Sequence, residues 1–268
     1  MLPAMADPQN LRNVIWLAVS VVEVLFLVYL LLKRVYRSHP FFFLYALSLV
    51  IQTVAVAFVY RRWGSTSPEY QYVAWFSQGL IVGMRWLAVA EIARKILAKY
   101  VGVWRLANFV LFVLGLIVLT YALVLSDLRL YAIVMSADRG VEMCVAVFVV
   151  GMFAFAYYYR LPILDLERQL AIGFGLYSCV WVVNDTIYLA WRQWLGPIWD
   201  FILTIAFLAS VALWFVAFRT PLPTTASAPE PEISPEIYAR LSEEVNSRLL
   251  TLNTRLNRLL GPSEDSRP

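Results

Sequence analysis

The chain has 268 residues, 61% of them hydrophobic and 15% charged, with a formal net charge of +4. Soluble domains carry about 45–50% apolar and about 25% charged residues, so a water-soluble globule could not cover this much apolar side chain. The cations lie beside apolar runs, which argues against a nucleic-acid partner and makes the lipid bilayer the first one.

Two cysteines occur, Cys144 and Cys179, both inside apolar runs and singly spaced. They offer neither a disulfide framework nor a zinc motif and read as small packing residues. No metal site and no cofactor is expected.

In chain order, residues 1–13 lack the basic start and small-residue cleavage site of a secretory signal, and Asp7 falls among them. They are predicted to be an extracytoplasmic tail, with the first helix kept as an anchor. Seven apolar runs follow over 14–219: Val14–Leu32, Phe41–Tyr60, Val73–Ala93, Trp104–Leu125, Val141–Tyr159, Leu170–Ala190 and Ile198–Phe218. Each approaches the ~20 residues a helix needs to cross ~30 Å of hydrocarbon. Lipid offers the backbone no hydrogen bonds, so such runs must be helices. The expected fold is all-α, a polytopic membrane protein with a seven-transmembrane-helix bundle.

Lys33, Arg34, Arg37, Arg94, Lys95, Lys99, Arg105, Arg160, Arg168 and Arg219 follow the odd-numbered runs. Arg12, Arg61, Arg62, Arg129, Arg139 and Arg192 lie on the opposite side. Lysine and arginine accumulate on the cytoplasmic side, which places the N-terminus outside and the C-terminus in the cytoplasm of an inner (plasma) membrane. Trp16, Trp63, Trp75, Trp191, Trp194 and Trp199 would form one interfacial belt, and Trp104, Trp214 and Tyr157–Tyr159 the other.

Missing atoms exclude several seven-helix chemistries. The last run has no lysine for a retinal Schiff base. The single histidine, His39, sits in a predicted cytoplasmic loop, so neither histidine-held zinc nor bis-histidine haem can be built. No serine nucleophile turn and no phosphate-binding glycine loop is present. The chain reads as non-enzymatic. All prolines lie outside the runs, whereas carriers often break their helices near the substrate, so transport has little local support.

Ionisable side chains at membrane depth are costly and usually face the bundle interior. Glu23 is central in the first run, with Ser20 and Asn13 on its face, and Arg85 is central in the third, with Gln78 one heptad before it. Matched depth makes Glu23–Arg85 the expected ion pair. Glu142, Asp185 and Asp200 lie in the outer halves of the last three runs, although Glu142 and Asp200 could equally be interfacial and solvated. Ser178, Trp181, Asp185 and Tyr188 form one stripe beside Tyr177 and Asn184; Asp200 pairs with Thr204, and Tyr45 with Ser48 and Gln52. The candidate ligand residues are therefore Glu23, Gln52, Arg85, Glu142, Trp181, Asn184, Asp185 and Asp200, around an outward-facing polar pocket with aromatic walls. Glu91 is expected to pair locally with Arg94 and Lys95. Gly79 and Gly83 allow close helix packing.

Residues 220–233, rich in Pro, Ala, Ser and Thr, read as a flexible linker. Ser234-Pro235-Glu236 starts a helix and Gly261-Pro262 stops it, which leaves 262–268 as a disordered end. Within 234–261, Tyr238, Leu241, Val245, Leu249, Leu252, Leu256 and Leu260 recur at near-helical steps. This cytoplasmic amphipathic helix can cover its stripe against a partner helix, its own bundle or the membrane surface. Leu241, Val245, Leu249, Leu252 and Leu256 are the candidate partner-binding residues, for a homo-oligomer or a cytoplasmic protein.

The segments Tyr36-Arg37-Ser38-His39-Pro40-Phe41-Phe42, Arg85-Trp86 and Ala90-Glu91-Ile92-Ala93-Arg94 resemble a group of uncharacterised bacterial seven-helix membrane proteins. More distantly they resemble the seven-helix sensor regions attached to histidine kinases. The resemblance implies a bacterial inner-membrane setting, without kinase activity, because no catalytic domain is present. The leading expectation is a membrane sensor or signalling scaffold that binds a ligand in the pocket and a partner through the tail helix. The alternative is a small transporter or ion-coupled carrier using Glu23, Arg85 and Asp185.

Overall fold

The computed structural model describes residues 8–97, 101–125, 129–161, 163–219 and 235–260. Within these ranges the side chains at 8–13, 101, 125, 185, 186, 188–200, 235–242, 259 and 260 fall outside the description. Among the described residues there are eight helices and no strand: α1 (Pro8–Leu32), α2 (Val35–Ser38), α3 (Pro40–Trp63), α4 (Pro68–Leu97), α5 (Val101–Leu125), α6 (Leu130–Tyr158), α7 (Asp165–Ala217) and α8 (Pro235–Leu260).

Five of them, α1, α3, α4, α5 and α6, contain segments long and apolar enough to cross a membrane. The chain is thus a multi-pass helical membrane protein. Its surface agrees: Leu25, Phe76, Phe112, Val147 and Val150 point outward, while Arg85, Glu142, Ser178 and Ser210 are buried. Lipid is as apolar as leucine, so packing and interhelical hydrogen bonds, rather than apolar burial, must join such helices.

Helix α7 covers 53 residues, which would extend about 80 Å if straight. It is not straight. Ser210 donates to the carbonyl of Gly173 at 2.8 Å, and the Trp214 indole donates to the carbonyl of Leu170 at 3.2 Å. Tyr177 and Phe207 meet edge to face. The chain therefore reverses between Tyr177 and Phe207, and the two arms of α7 lie against each other. Gly173 permits the approach, because a Cβ there would run into the Trp214 indole.

Trp214 is expected at an interfacial belt, yet only 1% of it is exposed. It closes an aromatic cluster with Phe42, Tyr45 and Phe174 at ring separations of 5.4, 6.0 and 4.9 Å. Its N–H finds a partner inside, on Leu170, which removes the reason for a tryptophan to stay at the headgroups.

The α1–α3 junction also departs from expectation. His39 is buried, not looped out: it sits at the N-cap of α3, with Nε2 3.8 Å from Glu167 and its ring edge-on to Phe218. Glu91 does not simply serve its neighbours Arg94 and Lys95. It reaches across to accept the backbone N–H of Phe42 at 3.0 Å, one of the orphan donors in the first turn of α3. The Ser38–Phe42 and Ala90–Arg94 segments, distant in sequence, meet here. Burial pushes the Glu167 carboxyl up, but the approach of His39, a backbone hydrogen bond and the positive charge of Lys95 outweigh it and hold the carboxyl below its ordinary range.

Helix α6 starts eleven residues before the expected Val141, so Ser136, Asp138 and Arg139 are helical rather than loop. Gly140 lets α5 close in, since a Cβ there would sit 2.8 Å from Val118.

Helix α8 seats on the bundle at the end that holds His39. Leu256 packs with Leu97 and Val103, and Leu252 lies against them. Asn253 accepts the backbone N–H of Gly102, and Arg105 donates to Asn257 at 3.3 Å. Leu249 and Leu256 are buried, Val245 and Leu252 half-buried, and the Leu241 side chain lies outside the described residues.

Candidate functional site

Arg85 lies midway along α4, 3% exposed. A guanidinium cannot lose its charge in a protein, so this depth demands anionic partners. They come from α6: Asp138 at 3.1 Å and Glu142, both on Nη1. Asp138 and Glu142 stand four residues apart, hence on one helix face. Tyr45 of α3 and Tyr177 of α7 place their rings 5.8 and 5.2 Å from the guanidinium carbon. The Arg85 Nε is buried without a hydrogen-bond partner.

The carboxylates extend the network. Ser178 of α7 donates to Glu142, which is fully buried. Gln78, two turns before Arg85, donates to Asp138 at 3.1 Å and accepts from Gln52 of α3 at 3.0 Å. A continuous polar chain thus runs Gln52–Gln78–Asp138–Arg85–Glu142–Ser178 and ties α3, α4, α6 and α7 together.

The expected Glu23–Arg85 ion pair is not formed. Glu23 accepts a hydrogen bond from Thr53 at 2.7 Å, and Arg85 turns to α6. Both residues still line one cavity of about 240 Å³, together with Tyr45, Gln52, Gln78, Tyr177, Thr204 and Phe207. A second cavity of about 510 Å³ lies beside it, lined by Trp75, Tyr121, Tyr131, Asp138, Arg139 and Trp181 among others. Gln52 and Gln78 line both, so their amide–amide hydrogen bond stands at the boundary.

Of the expected ligand residues, Glu23, Gln52 and Arg85 therefore meet in the smaller cavity, and Trp181 borders the larger. Glu142 lies behind Arg85 and is not solvated. Asn184 is buried with an unpartnered Oδ1, and the Asp185 and Asp200 side chains lie outside the described residues. Sequence reasoning missed Asp138, Tyr131 and Tyr121. The four-residue spacing of Asp138 and Glu142 was the available signal. Among the described residues no group of His, Cys, Asp and Glu could hold a metal ion.

The arrangement offers fixed charges, aromatic faces and amides around two partly open cavities. No protein-family model, curated protein or solved structure matches this chain.

Proposed function

We propose that the chain is a non-enzymatic membrane sensor. A ligand occupies the adjoining cavities, and the docking of α8 is the output. One observation carries this reading: Arg85, the hub of the polar chain, and Leu97, a seat of α8, belong to the same helix. They stand twelve residues, about 18 Å, apart along α4. A ligand that alters the Arg85 contacts biases α4 against α6, and Leu97 at the end of α4 shares an apolar cluster with Leu256 of α8, which seats on the start of α5. The helix would be released to, or withheld from, a cytoplasmic protein or a second copy of the chain.

In this reading the antiparallel arms of α7 supply the last two of seven crossings. The cavities open outward, and α8 lies in the cytoplasm of a bacterial inner membrane. Reporters fused after residue 268 and at Ser65 should fall on opposite faces; both on one face would reject that orientation.

The coupling has its own test. A nitroxide at Leu250→Cys, on the exposed side of α8, is placed in a Cys144→Ala, Cys179→Ala background. The intact network should give an immobilised spectrum, and Asp138→Asn a mobile fraction. Identical spectra in a folded Asp138→Asn protein would overturn the sensor reading.

A further inference from the structure

Resting on the ligand-binding reading above, we infer that the ligand is a small organic cation, an alkylammonium, whose charge is held by Glu23 after passing an aromatic vestibule. The charges around the two cavities carry the inference. Glu23 and Asp138 line the cavities with Arg85 and Arg139, and Glu142 stands behind Arg85. Arg85 is already engaged by two carboxylates, so an incoming anion would meet their repulsion first. Glu23 is the opposite case: its hydrogen bond is to the neutral Thr53 hydroxyl, and no lysine or arginine among the described residues pairs with it. An ionised carboxylate is costly at this depth, and a cation entering beside Glu23 supplies the counter-charge that keeps it ionised.

The walls select the kind of cation. Trp75, Tyr121, Tyr131 and Trp181 line the larger cavity, with Asp138 at its border, and Tyr45, Tyr177 and Phe207 line the smaller. Aromatic faces attract alkylammonium ions, which shed water far more readily than a metal ion does. The larger cavity concentrates such an ion beside the Gln52–Gln78 pair that borders the Glu23 cavity. A volume of about 240 Å³, below the about 300–1,000 Å³ of drug-sized sites, suits an ammonium carrying a few carbons.

The test uses the full chain in a neutral detergent with tetramethylammonium chloride as the probe and sodium chloride at matched ionic strength as the control. Thermal unfolding and tryptophan fluorescence are followed. Tetramethylammonium should raise the unfolding temperature saturably and change the fluorescence, while sodium does neither. Glu23→Gln should weaken the apparent affinity at least tenfold. Thr53→Val, which frees the carboxylate from its present partner, should tighten it. Glu243→Gln on the exposed side of α8 should leave it unchanged.

No saturable effect in the unaltered protein, or an effect that survives Glu23→Gln, overturns the cation site. A saturable effect of sodium benzoate that requires Arg85 would overturn it too while leaving a ligand cavity in place. Glu23-dependent binding with an unmoved α8 label would uphold the site and reject the sensor output.

Discussion

Replacing Arg85 with methionine removes the one cation that two buried carboxylates share. Glu142 has no exposed surface and the Asp138 side chain keeps 15% of its own, so solvent cannot take over. Breaking a buried pair from one side costs about 3–5 kcal/mol. Ser178 and Gln78 still donate to the stranded carboxylates, which places the expected loss near the lower bound. Glu142→Met keeps Arg85 paired with Asp138 but forfeits a charge-assisted contact, for about 1.5–3 kcal/mol. The double variant Arg85→Met, Glu142→Met should cost less than the two losses added together, with a coupling of about 1–3 kcal/mol. Glu23→Gln should stay below about 1 kcal/mol, since a carboxamide oxygen still accepts from Thr53. Equilibrium unfolding of the purified protein in mixed micelles reads all four. A coupling near zero, or a Glu23→Gln loss as large as that of Arg85→Met, would refute the assignment of Arg85 to α6.

Gly173→Ala should destabilise by about 1–3 kcal/mol in the same unfolding assay, because the new methyl displaces the Trp214 indole; a neutral result would mean the arms of α7 are not so close. Glu167 has a carboxyl held below its ordinary value of 4.5, so it stabilises the fold above that pH and loses this contribution as the pH falls through the lowered value. Glu167→Gln should therefore lose stability at neutral pH and shallow the acid limb below pH 4.5, and an unchanged pH profile would contradict the His39–Glu167 contact. Leu256→Ser should free α8 and speed protease cleavage within 220–234, with the bundle's unfolding unaffected; unchanged cleavage would mean that the helix is held elsewhere.

The helical membrane-spanning segments were legible because lipid leaves the backbone no alternative to a helix. The start of α6 was not, since Asp138 and Arg139 read as loop residues when charge is judged along one helix alone. The cost of Asp138 disappears once Gln78 and Arg85 of the neighbouring helix supply partners. The Glu23–Arg85 pairing failed for a related reason. Equal depth fixes height along the bundle but not rotation about each helix axis, and Arg85 faces α6. Gln52, Arg85 and Trp181 do line the cavities, as residues at helical spacing on an inward face should. His39 was misplaced because its partner Glu167 lies 128 positions away, beyond any local pattern.

The most direct test of the account is amide hydrogen exchange along α8 while the cavity is titrated. In the unaltered protein, exchange of peptides covering 243–258 should change saturably with tetramethylammonium, at the midpoint read from thermal unfolding, and Glu23→Gln should shift both midpoints together. A cavity that fills to saturation while exchange in α8 stays constant would contradict the central claim that binding at the Arg85 network is transmitted to the tail helix.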